Sequence, residues 1–286
     1  LNNKYHKISF DMNINDIKGT FTLNNGVEMP YLGLGTFQSN EGAEVKNAIH
    51  FALDAGYRLI DTAAFYANEK GVGEAIREHE IDRSEVFVTT KVWNDDQGYD
   101  KTLKAFDASI DKLGFDYIDL YLVHWPVTGK FKDTWKALEK IYRDGRVKAI
   151  GISNFLKVHL DQLLPDVEIV PAVNQMEYHP YLIQQELVDL CRQNGIVYQA
   201  WSPLMLGRVF EVPLLKTLSK KYRKNQAQIV LRWSLQNGVA SIPKSVNQQR
   251  IESNADIFDF ELSADDMAAI NALDCNHRFG YDPMLV

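Results

Sequence analysis

Two textures of apolar and polar residues alternate along this chain. Short, almost wholly apolar runs of four to seven residues occur at 31–37, 58–61, 86–92, 118–124, 148–153, 169–175, 196–201 and 239–243. Such runs predict parallel strands buried on both faces. Between them lie longer segments with apolar residues at three- and four-residue spacing. The segment 41–55 sets Val45, Ala48, Ile49, Ala52 and Leu53 on one helical stripe, and Leu187, Leu190 and Cys191 do the same later. Cys191 therefore reads as a core residue. Glycines at 56, 114, 145, 195 and 238 stand between a helical segment and the next apolar run, where a left-handed cap is needed. Two helical segments, near 214–223 and 226–235, separate the seventh and eighth strands. Eight strands alternating with helices over ~250 residues predict an α/β fold, a (β/α)8 TIM barrel, with an open doubly wound sheet as the alternative. Residues 20–23 and 27–29 flank Asn24-Asn25-Gly26, a hairpin signal. That hairpin is expected to plug the bottom of the barrel. Residues 1–19 read as an N-terminal extension, poorly structured, ahead of a single domain over 20–286.

The composition narrows the field. With 286 residues, 45% hydrophobic and 24% charged, the chain has material for a large core and is neither disordered nor fibrous. Thirty-one basic against 38 acidic residues give −7 with no basic block, which argues against nucleic acid or an anionic membrane as partner. An anionic ligand must then be held by a few local cations. Two cysteines, Cys191 and Cys275, make no disulfide framework and point to a reducing, cytoplasmic setting. No run approaches a membrane span or a secretory signal. The expected partner is a small-molecule substrate, and the chain is expected to be a monomer.

Several common chemistries lack their motifs. Gly33-Leu34-Gly35 does not extend to a dinucleotide fingerprint, because Gln38 holds the third glycine's place. There is no Walker loop, HExxH, CxxC or G-x-S-x-G, and the histidines show no metal-ligand spacing, so no metal is expected. In a barrel, catalysis belongs at the C-terminal strand ends. Those ends carry Asp61, Lys91 and His124, with Tyr66 in the loop after Asp61. Singly, each has a plain structural reading: a helix cap, a solvated strand end, a core histidine and loop packing. Together they face one mouth. A phenol, with a reference pKa of about 10, is a poor acid at neutral pH, and a neighbouring ammonium is expected to lower that value. Asp61 supplies the counter-charge for Lys91, and His124 can hold a substrate oxygen at the phenol. This is a proton donor for a carbonyl oxygen. It requires a hydride source, and side chains supply none, so a nicotinamide cofactor is implied. Lys244, Ser245 and Arg250, after the eighth strand, can grip a 2′-phosphate. Trp201 can stack on a flat ring, and Ser153, Asn154 and Gln175 suit a carboxamide. Phe37, Trp93 and Trp125 sit past strand ends, where they can line an apolar substrate pocket with Tyr66 and His124.

These stretches resemble the aldo-keto reductase superfamily. The matching segments are GLGTFQ (33–38), DTAAFYANEKGVGEAI (61–76), TTKVW (89–93), DLYLVHWP (119–126), GISNF (151–155), NQMEYHP (174–180), AWSPL (200–204) and IPKS with Arg250. The wording is closest to bacterial glyoxal/methylglyoxal and 2,5-diketo-D-gluconate reductase-like members. The resemblance implies a barrel that binds NADPH (NADP+) in extended form. It makes Tyr66 the general acid, tuned by Lys91 and Asp61, with His124 orienting the carbonyl. It puts Trp201 against the nicotinamide and Ser153, Asn154 and Gln175 on its amide. It adds Thr36, Asp61, Ser202, Leu204 and Val246 to the cofactor contacts, with Lys244, Ser245 and Arg250 on the 2′-phosphate and Asn254 near the adenine. The chain departs from the pattern at Ser253, where family members often carry glutamate. The connection after Trp125 and the tail 276–286 are short, which implies an open site for small aldehydes, dicarbonyls or sugar-derived ketones. Two other classes remain: a cofactor-binding barrel with a sensing or structural role, and a metal-dependent barrel hydrolase.

Overall fold

The computed structural model describes residues 14–286. Among these, the first strands are an antiparallel pair, β1 (Thr20–Thr22) and β2 (Glu28–Pro30), in register Phe21 to Met29. They turn at Asn24-Asn25-Gly26, with Gly26 at φ +85°. This is the expected hairpin. Its tip reaches the N-terminal ends of the barrel strands: the Asn24 side chain donates to the Pro171 carbonyl (3.0 Å) and that of Asn25 to the Lys148 carbonyl (2.9 Å).

Then follow β3 (Leu34–Gly35), α1 (Ala43–Asp54), β4 (Leu59–Asp61), α2 (Glu69–Glu78), β5 (Phe87–Val92), α3 (Tyr99–Leu113), β6 (Ile118–Val123) and α4 (Phe131–Arg143). The second half is β7 (Val147–Ser153), α5 (Lys157–Leu163), β8 (Val173–Glu177), α6 (Gln185–Gln193), β9 (Val197–Trp201), α7 (Pro213–Tyr222), α8 (Gln226–Gln236), β10 (Ala240–Ser241), α9 (Gln248–Ala255) and α10 (Ala264–Asn271). Strands β3 to β10 pair in sequence order, all parallel. The two end strands also meet. The Gly33 N–H donates to Ser241 O (2.9 Å), the Ser241 N–H to Tyr31 O (3.0 Å) and the Gly35 N–H to Pro243 O (3.2 Å). The sheet is thus closed on itself as a (β/α)8 barrel. At the seam a Cβ on Gly35 would lie 2.8 Å from the Ile242 carbonyl oxygen, so the backbones can approach only because that residue is glycine.

The central strands are buried along their whole length, as their unbroken apolar runs require. Helix α1 buries the stripe read from its spacing, Val45, Ala48, Ile49, Ala52 and Leu53. Cys191 is fully buried, and burial pushes its thiol up to about 12, as befits a core residue.

Three boundaries differ from expectation. Strand β8 begins at Val173, not at 169. The Glu139 carboxylate takes the N–H groups of Glu168 and Ile169 (2.8 and 2.9 Å), and Pro171 has no N–H, so the ladder starts beyond them. Strands β3 and β10 shrink to two residues each, because the seam is held by staggered single bridges. Of the extension expected over 1–19, residues 1–13 lie outside the described residues. From Ile14 onward the chain packs on the barrel: Ile14 is buried, and its carbonyl accepts from Arg232 on α8 (2.8 Å).

Candidate active site

The C-terminal rim gathers Asp61, Tyr66, Lys91 and His124 from three successive strand ends. Asp61 ends β4, and it caps no helix. Its carboxylate is buried in the barrel, where Oδ1 accepts from Lys91 Nζ at 2.6 Å and Oδ2 from Gln175 Nε2 at 2.7 Å. Lys91 on β5 has no exposed surface, which rules out a solvated strand end. Its ammonium also donates to the Thr62 carbonyl (2.8 Å) and toward the Tyr66 hydroxyl (3.5 Å). Tyr66 closes a single 3-10 turn (Ala64–Tyr66), ended by Ala67 in the left-handed region at φ 55°. This sharp reversal returns the phenol over the strand ends. His124 follows β6, its ring edge-on to Tyr66 with centroids 5.7 Å apart.

The electrostatics follow from burial. Burial pushes the Asp61 carboxyl up and the Lys91 ammonium down, and each is held charged by the other. Burial, aided by the Asp61 carboxylate, raises the Tyr66 phenol well above its ordinary value. The net shift is therefore upward, where a net lowering by Lys91 was expected. The ammonium sits 2.6 Å from Asp61 against 3.5 Å from the phenol, so its charge is largely answered by the carboxylate. His124 is pushed well below its ordinary value, by burial and then by Lys91. Its imidazole is neutral at physiological pH. The buried Nδ1 has no partner. A buried bare lone pair costs less than a buried unpaired N–H, so the proton belongs on Nε2.

Aromatic rings wall this group. Phe37 tilts against Tyr66 (5.0 Å), Trp93 stands edge-on to His124 (5.2 Å), and Trp125 lies parallel to the imidazole at 6.4 Å. All three expected pocket residues thus reach the rim. Sequence reading missed a fourth, Phe65, which stacks on Trp93 at 3.8 Å and is half exposed. Its position directly before Tyr66 was the available signal. Among the described residues no cluster of three or more His, Cys, Asp or Glu side chains could hold a metal. No helix there is long and apolar enough to cross a membrane.

The family model described as "Aldo/keto reductase family" matches residues 31–274. The chain belongs to the aldo/keto reductase family. As a member it is an oxidoreductase. It is 53% identical to a glyoxal reductase of Bacillus subtilis over 93% of this chain and 97% of that one. Among solved structures it is similar to MGS-M4, an aldo-keto reductase from a deep-sea metagenome, with a TM-score of 0.90, 43% identity and coverage of 92% of this chain and 98% of that one. It is also similar to a Gox0644 variant solved in complex with NADPH, with a TM-score of 0.89, 41% identity and coverage of 93% and 98%.

In this aldo-keto reductase the residues expected to hold a cofactor share the same rim. Thr36 donates from both its N–H and its hydroxyl to the Asp61 carbonyl (3.0 and 2.9 Å), tying the loop after β3 to the ion pair. Ser153 donates to the Gln175 carbonyl (2.9 Å), and Asn154 bridges the His124 carbonyl (3.0 Å) and the indole Nε1 of Trp201 (2.9 Å). Asn154 does so from the left-handed region, φ 66°, which asparagine tolerates. The Gln175 amide is engaged by Asp61 and by Gln199 (2.8 Å), so it supports the buried carboxylate from below. Ser202 and Leu204 open the irregular segment after β9, where Ser202, Met205 and Leu206 all take positive φ. Lys244 and Arg250 are exposed, with the buried Ser245 between them, at the start of α9. There the Asn247 side chain caps the Arg250 N–H (3.0 Å). Asn254 is buried one helical turn further on. Ser253 has a structural occupation: its hydroxyl accepts from Asn225, the cap of α8, at 2.7 Å.

Proposed function

We propose that this aldo-keto reductase is an NADPH-dependent reductase of small aldehydes and ketones, α-dicarbonyls such as methylglyoxal among them. The observation that carries the reading is the phenol of Tyr66, protonated and walled by aromatic rings, with the buried Lys91–Asp61 ion pair behind it and neutral His124 beside it. The donor set fits the cofactor. Two exposed cations flank a helix start that suits a phosphate, and a half-buried indole stands at the mouth beside hydrogen-bonding side chains that suit an amide. Lys244, Ser245, Val246 and Arg250 would hold the phosphate end, with Asn254 toward the adenine. Trp201, Ser153, Asn154 and Gln175 would hold the nicotinamide end, with Thr36, Ser202 and Leu204 between.

Bound there, NADPH supplies the hydride that reduces the carbonyl carbon. His124 Nε2–H and the Tyr66 hydroxyl hold the carbonyl oxygen. As charge builds on that oxygen, Tyr66 gives it a proton, a downhill transfer because an alkoxide is far more basic than a phenolate. Lys91, at 3.5 Å, then stabilises the phenolate. The aromatic rings give the site an apolar wall, which suits the carbon skeleton of a small carbonyl substrate. Similarity to a glyoxal reductase supports the dicarbonyl class.

The test is NADPH consumption with methylglyoxal, in the wild type and in Tyr66→Phe. The expected result is turnover that falls by about 10²-fold or more in the variant, with NADPH binding retained. Equal turnover in both would overturn the mechanism. NADPH binding without turnover of any small carbonyl would favour the sensing barrel instead.

A further inference from the structure

The tail after α10 returns across the catalytic rim and carries contacts that the reduction described above leaves unused. The carboxylate of Glu177, at the end of β8, has no exposed surface. It accepts the N–H of Phe279 at 2.7 Å and that of Gly280 at 3.1 Å, and His179 Nε2 lies 3.0 Å away. Arg278 stands 3.8 Å from its other side. Burial pushes this carboxyl up, but the hydrogen bonds from His179 and the tail outweigh it and hold it below the usual carboxylate range. Phe279 is gripped further by the His179 ring (5.1 Å) and the Arg208 guanidinium (4.9 Å). The next residue, Gly280, lies close against the benzo edge of the Trp201 indole. A Cβ there would come within 2.3 Å of Cη2 and 3.1 Å of Cζ3. The far edge of that indole is thus fixed by tail backbone, and its near edge by the Nε1 bond to Asn154. Nothing in φ demands this glycine. The closeness of the ring does, and after it the Glu177 Oε2, which such a Cβ would approach to 3.2 Å.

We propose that Glu177 and Gly280 are positioning residues for Trp201: the tail is a strap pinned by the Glu177 carboxylate, and its Gly280 backbone seats the indole that would hold the nicotinamide end of the cofactor. This rests on the function proposed above. The strap makes cofactor affinity depend on the tail, because a methyl group at residue 280 must displace either the indole or the strap.

The first measurement needs no cofactor. The near-ultraviolet circular dichroism of Trp201, isolated by difference from Trp201→Phe, should change in Gly280→Ala and in Glu177→Gln. In the Trp201→Phe background Gly280→Ala should change the spectrum far less, since the shorter ring no longer reaches the added methyl and only Glu177 Oε2, at 3.2 Å, still meets it. The second measurement is NADPH affinity by fluorescence quenching. Gly280→Ala should raise Kd about tenfold in the wild type and less than twofold in the Trp201→Phe background. A merely structural role would instead give the same factor in both backgrounds. An unchanged dichroism signal in Gly280→Ala, or an equal Kd factor in both backgrounds, overturns the proposal. An unchanged signal in Glu177→Gln alone overturns the pinning. If Glu177→Gln does not fold, the Gly280 cycle decides. A wild type that fails to bind NADPH overturns the function reading, while the dichroism still decides whether the tail seats the indole.

Discussion

Tyr66 and His124 are moved in opposite directions by the same desolvation, and this fixes how the reaction depends on pH. A proton-donating phenol must be protonated. Its value lies well above the ordinary 10.0, so the competent form persists through the neutral range and is lost only as pH rises through that raised value. His124 must be neutral to donate from Nε2 with its second nitrogen bare. Its value lies well below the ordinary 6.5, so the competent form is lost only as pH falls far into acid. The kcat/KM of carbonyl reduction should therefore be flat between the two ordinary values and bend down outside them. A basic limb centred at ~8 would mean a phenol acidified by Lys91 and would sink this reading. The order of chemistry was legible in the residues, because Asp, Tyr, Lys and His fall at successive strand ends. The direction of the phenol's shift was not. It turns on the ammonium lying nearer the carboxylate than the hydroxyl, which no spacing along the chain encodes.

At the scale of elements, the contact between α2 and the end of α3 shows how helices are held where the rim needs them. Gly73 on α2 lies against the last turn of α3, and a Cβ would sit 1.9 Å from the Leu113 carbonyl oxygen. That atom is backbone and cannot swing aside. Gly73→Ala should destabilise the fold by about 2 kcal/mol, at the middle of the range for overpacked sites, visible in urea as a lower midpoint at unchanged slope. A midpoint equal to the wild type would show that α2 can slide at no cost. The same helix begins at Glu69, three residues after Tyr66, so such a shift would carry the phenol with it. The variant's kcat should fall as well. Helices were readable because their apolar stripes need no distant partner, and α1 buries the stripe its spacing predicts. Strand limits were less so. The start of β8 depends on Glu139 from α4 taking the N–H groups of Glu168 and Ile169, a competition set by the fold and not by the local run.

Across the whole molecule the two ends of the barrel divide the work, and that division can be tested. The hairpin β1–β2 lies at the N-terminal end, and its one hydrogen-bonded link toward the rim among the described residues is the weak one from Gln199 Nε2 to Met29 Sδ (3.8 Å). Its tip satisfies carbonyl groups that open β7 and precede β8, through Asn24 to Pro171 and Asn25 to Lys148. The Lys148 carbonyl lies in β7 and that of Pro171 just before β8, so the asparagines tie the hairpin to the bottom of the sheet. Replacing Asn24 and Asn25 together by alanine removes both of these bonds to the barrel, with the weaker bond from the Val27 N–H to Asn25 Oδ1 (3.2 Å), and leaves one partly buried and one exposed carbonyl to water. At a net ~1 kcal/mol per bond the loss is about 2 kcal/mol. For a chain of this size that is roughly 4–8 °C in Tm. Turnover at a temperature well below the transition should be unchanged, because Asp61, Lys91 and their partners are tied to one another at the opposite end. Tyr66→Phe should show the reverse, losing turnover while melting close to the wild type. The pair of variants measured side by side separates the two roles. If the double alanine variant lost kcat in proportion to its stability, the ends would be coupled through the strands, and the rim could not be treated as a site carried on an independent scaffold.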